Sequence, residues 1–492
     1  MKTLGELRKS GYQSQSVKDE LRKNMIRKMK ADEELFPGIL GYEKTVLPQL
    51  QNAILARHDI ILLGLRGQAK TRILRLLAGF LDEKVPIIEG SEVNDDPLNP
   101  ISKYGRELVA KRGDDTPIAW LNREQRYGEK LATPDTTVAD LIGDLDPIKA
   151  ASKKLTLADE EVINFGLIPR TNRGIFVINE LPDLQPRIQV ALLNIMQERD
   201  IQIRGFNVRI PLDVSLAFSA NPEDYTNRGN IITPLKDRID SQIITHYPKE
   251  LKIASQITKQ EAWSKRDGDA EVIIPDLYRD VLEYVAFEAR DSEYIDQKSG
   301  VSTRMTITAM EQVISAAERR MISSGESTAQ LRVTDLYYMI PALTGKLELV
   351  YEGEQEGAVN VAKHLLGKAI RRAFLDVFEN PSESKTKEND ANPYEKILDW
   401  FALGNSLEIP DLMSQNDYKK ELERVDGLKT LVQDNSSISK NDLLPVMDLV
   451  IEALHQFSKL GKEDIDDHRS YSDMLGSMLG GMGDFEEDDF DL

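Results

Sequence analysis

The chain has no cysteine among its 492 residues. Disulfides, thiolate metal sites and cysteine nucleophiles are thereby excluded. Positive charge is also scarce: 63 Lys and Arg face 83 Asp and Glu, a formal net charge of −20. A general nucleic-acid binder is expected to present a basic domain or stripe. The charge balance disfavours that class, and a helicase with it, while leaving room for a local basic patch. No run approaches the roughly 18 apolar residues of a membrane span, so no membrane partner is expected. Residues 1–30 are lysine-rich without an apolar centre, which argues against a secretory signal, and their acidic residues argue against a transit peptide. A cytoplasmic location is the expectation. In that stretch Leu7, Leu21, Met25, Ile26 and Met29 alternate with basic residues, which predicts an amphipathic helix on the domain surface. Apolar content is ordinary at 40%, and the length suits about three domains.

Ile60–Leu63 is a short apolar run that stops at Gly64, and Leu65, Arg66, Gly67, Gln68, Ala69, Lys70, Thr71 and Arg72 follow. A helical pattern begins at Ile73. This is a P-loop with one departure, because Ala69 fills the second glycine position. In such a loop successive backbone N–H groups and the helix N-terminus cradle phosphate. Lys70 is expected to reach the β- and γ-phosphates of ATP, and the Thr71 hydroxyl to ligate Mg²⁺. The alternative is an ordinary strand-turn-helix with a chance lysine.

Other segments bear on that choice. Lys84–Ile88 reads as a second strand, and residues 91–126 as polar and irregular. Gly174–Ile178 is an apolar run suited to a strand buried on both faces of a parallel sheet, and it ends in Asn179-Glu180. Glu180 fits a general base, and Asn179 fits a group accepting from a water on Mg²⁺. Asn179 carries no charge, so weakened metal affinity is expected. Pro186–Glu198 reads as an amphipathic helix, and residues 199–210 as a hairpin around Gly205-Phe206. Val214–Ser219 is a further buried strand delivering Asn221, which fits a group orienting the attacking water. Arg238 fits an arginine offered to a neighbouring subunit's γ-phosphate, and Arg304 a nucleotide contact from a helical lid. Bland alternatives stand beside each: a strand-to-turn transition, an Asn-Pro turn, a surface ion pair and a solvated helix start. Strands alternating with helices argue for a parallel α/β sheet.

The expected organisation is an N-terminal helical segment over 1–34, an α/β nucleotide-binding core over 35–250 and a helical lid over 251–378. A linker over 379–392, a C-terminal helical module over 393–468 and a disordered acidic tail over 469–492 follow. Expected lid helices lie near 274–289, 306–323 and 358–378, with another starting at Thr334 as N-cap. Six of the last nine residues are acidic.

In this order the segments resemble the AAA+ ATPases, in the branch holding the magnesium-chelatase ATPase subunit and the MoxR-like proteins. The resemblance spans about 35–343 and rests on Gly41, the Gly64–Thr71 loop, Thr133–Asp146, Gly166–Glu180, Leu192–Glu198, Ser219–Glu223, Leu235–Arg238 and the Arg304 region. It implies a P-loop AAA+ core with a helical lid and ATP and Mg²⁺ as ligands. It also implies Asn221 as sensor 1, Arg238 as arginine finger and Arg304 as sensor 2. Such proteins commonly form hexameric rings, and many act through a partner with a von Willebrand factor A domain. No Asp-x-Ser-x-Ser signature of that domain occurs here, so such a partner is expected to be a separate chain. The client is not named by any motif. A Gly-Ala-Phe-Thr-Gly-Ala loop, the mark of sigma-54 activators, is missing. Because Ala69 and Asn179 depart from the family pattern, a nucleotide-binding scaffold with little hydrolysis stands as the alternative. On that alternative, Asn179→Asp is expected to gain turnover.

Overall fold

The computed structural model describes residues 1–154, 159–202, 209–221, 230–266, 271–383, 392–465 and 468–474. The chain falls into two compact units, Met1–Tyr247 and Pro248–Leu492.

The first unit is built on strands β1 (Ile60–Leu63), β2 (Lys84–Ile88), β3 (Ile118–Asn122), β4 (Tyr127–Leu131), β5 (Gly143–Leu145), β6 (Ile163–Phe165), β7 (Gly174–Asn179), β8 (Asp200–Gln202), β9 (Arg209–Pro211), β10 (Val214–Ala220) and β11 (Ser241–Ile244). Five of them form a parallel sheet in the order β11-β1-β10-β7-β4. The central strands are apolar on both sides because both faces are covered. Ile61, Phe176, Ile178, Leu216 and Phe218 pack on one face with Ile188, Leu192 and Ile195 of the helix Pro186–Gln197. Ile60, Leu62, Ile175, Val177 and Ala217 pack on the other face with Leu50, Ile73 and Leu74.

Two strand expectations change. β2 is a strand, but it pairs antiparallel with β3, Val85 opposite Leu121, outside the parallel sheet. The fifth sheet strand is β4, in a region expected to carry none. Its sequence Tyr-Gly-Glu-Lys-Leu is only partly buried at the sheet edge, so neither an apolar run nor a clean alternation marks it. The stretch 91–126 also holds the helix Lys103–Arg112, whose Ser102 side chain accepts from the Gly105 N–H. Strands β8 and β9 pair as the expected hairpin, while its Gly205-Phe206 turn lies outside the described residues, as do Pro222 and Glu223.

The N-terminal helix Val17–Lys30 begins at Ser16, whose hydroxyl accepts from the Asp19 N–H. It buries Leu21 and Met25. It also buries Glu20, which accepts from Arg126 Nη1 at 2.7 Å and Nη2 at 2.6 Å. The helix is thus keyed into the unit by an ion pair as well as by its apolar stripe.

In the second unit the helices Asp276–Asp291, Arg304–Ser324 and Ala358–Leu375 stand close to expectation. Thr334 is not an N-cap: it lies inside the helix Val333–Tyr337, which is capped by Arg332 and Asp335. The stretch 393–468 is not purely helical. Leu407–Pro410, Gly461–Ile465 and His468–Ser472 form a three-stranded antiparallel sheet. The helix Leu443–Gln456 is buried almost all round, as a helix apolar on every side must be, and shares one core with Ala358–Leu375. The strand His468–Ser472 reaches into the stretch expected to be a tail, because Arg469 and Tyr471 are needed inside. Arg469 donates to Asp448 at 3.2 and 3.3 Å, and the Tyr471 hydroxyl donates to Glu452 at 2.5 Å. Residues 384–391 of the linker and 475–492 of the tail lie outside the described residues. Among the described residues, no helix is long and apolar enough to cross a membrane.

Candidate nucleotide site

The candidate residues meet at the carboxyl ends of β1, β10 and β7, where open parallel sheets hold ligands. The register sets them side by side: Leu63 stands opposite Ala220, and Phe218 opposite Ile178. The residue after each strand therefore emerges at nearly one level. β1 delivers the loop Gly64–Ala69, β10 delivers Asn221 and β7 delivers Asn179 and Glu180.

The loop leads into the helix Lys70–Leu76. Gly67 has φ +72° and Ala69 φ +57°. These left-handed turns give the loop the concave curvature of an anion-binding nest. Ala69 thus takes the backbone conformation a glycine would supply, at a cost of about 1 kcal/mol. Gly64 is required for another reason. A Cβ there would stand 2.0 Å from Thr245 Oγ1 and 2.2 Å from Gln68 Oε1. Those two side chains are bonded to each other at 2.6 Å, and they pin the loop to the end of β11. Tyr42 OH donates to Gln68 O at 3.1 Å and Tyr247 OH to Arg66 O at 2.9 Å, fastening two more loop carbonyls.

Lys70 is buried. Its ammonium donates to the carbonyl of Gly64, to Leu65 O at 2.9 Å and to Asn221 Oδ1 at 2.6 Å. Asn221 Nδ2 in turn donates to Glu180 Oε2 at 2.9 Å. Three residues singled out in the sequence are thus one hydrogen-bonded chain, Lys70–Asn221–Glu180. Glu180 has φ +54°, a conformation that is uncommon outside glycine and concentrates at functional sites. Its backbone N–H donates to Ser219 Oγ at 3.3 Å.

Asn179 is buried. Its Oδ1 accepts from Ser219 Oγ at 2.9 Å and from Thr71 Oγ1 at 3.4 Å, and its Nδ2 donates to Glu129 Oε1 at 2.7 Å. Glu129 does not stand out in the sequence, and Ser219 does so only as the first residue of the Ser219–Glu223 segment. Ser219 is adjacent to the Asn221 strand end, but Glu129 sits on the unadvertised edge strand and only the sheet order reveals it.

The remaining candidates are placed as follows. Arg238 closes the helix Thr233–Arg238; it donates to Gln197 Oε1 at 2.9 and 3.1 Å and to Pro234 O at 2.8 Å. Arg304 opens the helix Arg304–Ser324 of the second unit and is exposed. Arg72 is also exposed.

The donor set fits a nucleotide polyphosphate with Mg²⁺. A buried ammonium at the mouth of a left-handed loop suits phosphate oxygens, and a hydroxyl beside a buried amide oxygen suits a hydrated cation.

A family model described as an AAA domain of the dynein-related subfamily matches residues 118–239. That span holds β7, β10 and the Glu180 and Asn221 positions. The chain is 26% identical over 252 residues to the magnesium-chelatase 38 kDa subunit of Rhodobacter capsulatus, covering 48% of this chain and 65% of that protein. A match to the same subunit of Cereibacter sphaeroides is 26% identical over 245 residues, again with 48% and 65% covered. The matches thus span just under two thirds of these relatives' own length. Among solved structures, a putative ATPase from Cytophaga hutchinsonii is 17% identical, with 71% of this chain and 95% of that one covered and a TM-score of 0.29. Taken with the parallel sheet, the match over residues 118–239 supports an AAA+ ATPase core, and that core is similar to the magnesium-chelatase 38 kDa subunits.

Proposed function

We propose that the chain binds ATP with Mg²⁺ and hydrolyses it, working as a ring-forming motor on a client through a separate partner. The observation that carries this reading is the chain Lys70–Asn221–Glu180, with bonds of 2.6 and 2.9 Å. A cation for the phosphates, a carboxylate for the water and an amide between them are what in-line attack on a γ-phosphate requires. Glu180 takes the proton of the attacking water. Asn221 holds Glu180 and the water in line, and Lys70 neutralises charge on the transferred group. Bound Mg²⁺ supplies neutralisation of the β- and γ-phosphate oxygens, with Thr71 and Asn179 as the residues that would hold it.

On this reading residues 35–250 form the motor core and 251–378 the lid. Arg238 serves the neighbouring subunit's nucleotide and Arg304 contacts the nucleotide from the lid. The work done is remodelling or metal-loading of a client through a von Willebrand factor A partner, in the cytoplasm. The likeness to magnesium-chelatase subunits supports a partnered motor. Steady-state phosphate release from ATP tests it. Lys70→Ala is expected to abolish ATP binding, and Glu180→Gln to retain binding while losing about 10²–10⁴-fold in rate. Turnover unchanged in both variants would refute the assignment.

The neutral Asn179 favours one second reading, a nucleotide-binding scaffold with little turnover. Tight ATP binding with wild-type turnover at background would establish it.

A further inference from the structure

Position 179 holds an amide where the family resemblance leads one to expect a carboxylate, and the surroundings of that amide explain why. A carboxylate only accepts hydrogen bonds, so Glu129 obliges Asn179 to turn its Nδ2 outward. That contact is 2.7 Å. The orientation leaves Oδ1 facing the hydroxyls of Ser219 and Thr71.

Glu129 is itself clamped. Arg75 donates to it from Nε at 2.8 Å and from Nη2 at 3.0 Å, and Tyr127 OH donates at 3.2 Å. Arg75 lies four residues after Thr71 on the P-loop helix and so shares its face. The clamp ties that helix to the edge strand, with its carboxylate aimed at Asn179. A hydrogen bond to an ionised acceptor is stronger than a neutral one and polarises the group that donates it.

We infer that Glu129 is a positioning residue of the cation site: through Asn179 it delivers negative charge to Oδ1 and fixes that oxygen beside Thr71. This deepens the nucleotide reading and rests on it. Asn179 is then not a degraded aspartate but the neutral half of a matched pair. An aspartate there would set two carboxylates across a 2.7 Å contact, and carboxylates that close do not both ionise. The expectation that Asn179→Asp gains function by itself is therefore reversed. The carboxylate can move to 179 only if 129 gives it up.

The test is titration of ATP onto the full chain, in Mg²⁺ and in EDTA, for wild type, Glu129→Gln, Asn179→Asp and the double variant. Each single variant is expected to lose about 10-fold of the Mg²⁺-dependent gain in affinity, as other outer partners of metal ligands do, with affinity in EDTA retained. The double variant, with the charge exchanged between the two positions, is expected to recover it. A merely structural role predicts additive losses and no rescue. Tighter Mg²⁺-dependent binding in Asn179→Asp alone, or a double variant no better than the singles, would overturn the pair while leaving the nucleotide reading intact. A wild type that binds no ATP in either buffer would refute the nucleotide reading, and the role of Glu129 with it.

Discussion

Ala69 offers a direct measurement of what the P-loop backbone costs. Its φ of +57° and ψ of +15° lie in the left-handed region. A residue with a Cβ loses about 1–2 kcal/mol there, and glycine loses almost nothing. Against that gain, glycine gives the unfolded chain more freedom, worth about 0.4–1 kcal/mol. The balance for Ala69→Gly is a stabilisation of about 0.5–1 kcal/mol. For a unit of this size that corresponds to roughly 1–4 °C in Tm. Ala69→Val probes the opposite direction, since a β-branched side chain is a true outlier at positive φ; a loss of at least about 1 kcal/mol is expected. Differential scanning calorimetry without nucleotide reads both, and ATP titration then asks whether the relaxed loop binds more tightly. If Ala69→Gly lowered Tm while Ala69→Val left it unchanged, the left-handed conformation at 69 would be wrong, and the nest curvature with it.

Three further outcomes follow from geometry described above. Removing Glu20 with Glu20→Gln leaves the Arg126 guanidinium buried without its counter-charge, both side chains being nearly fully enclosed. A loss of about 3–5 kcal/mol is expected in urea unfolding, partly recovered when Arg126 is also replaced by Met. In the second unit, burial pushes Glu283 up to about 7 against the opposing effects of the Thr258 hydrogen bond and the Arg290 charge. Its contribution is fully present below the unfolded value near 4.5 and is lost as pH rises through 7. The size is about 3 kcal/mol, so Glu283→Gln is expected to flatten the fall in stability between pH 4.5 and 7. Asn221→Leu breaks the chain between Lys70 and Glu180 without adding charge. It is expected to cut phosphate release by about 10²-fold or more with a small change in ATP affinity, since an oriented group that acts at the transition state weighs on rate.

The sequence spoke most clearly where one physical demand dominated. β1, β7 and β10 are buried on both faces, so their apolar runs announced strands within a residue or so of their ends. The polar residues just past those ends carried the site, because a side chain there has no packing duty to explain it. β4 was illegible because an edge strand satisfies half its needs with solvent, and Glu129 was hidden with it. The C-terminal region misled for a different reason. Leu443–Gln456 reads as a strong helix and dominates its neighbourhood, whereas Leu407–Pro410 and His468–Ser472 are four and five residues long and distant in sequence. Their pairing exists only once the chain is folded. Arg469 and Tyr471 looked like the start of a polar tail because burying an arginine is sensible only where Asp448 and Glu452 already wait. Asn179 was recognised as a departure, but the meaning of that departure depended on a neighbour one strand away.

Lys70 has no lone pair to offer, so it can meet only the oxygen of the Asn221 amide; the nitrogen is thereby forced toward Glu180. One planar group thus reads a positive charge on one edge and a negative charge on the other, and cannot rotate without offending both. On the proposed nucleotide reading, a phosphate that drew the ammonium away would leave the amide held by Glu180 alone. Asn221→Asp would keep an acceptor for Lys70 and remove the donor to Glu180, which separates holding the lysine from holding the carboxylate.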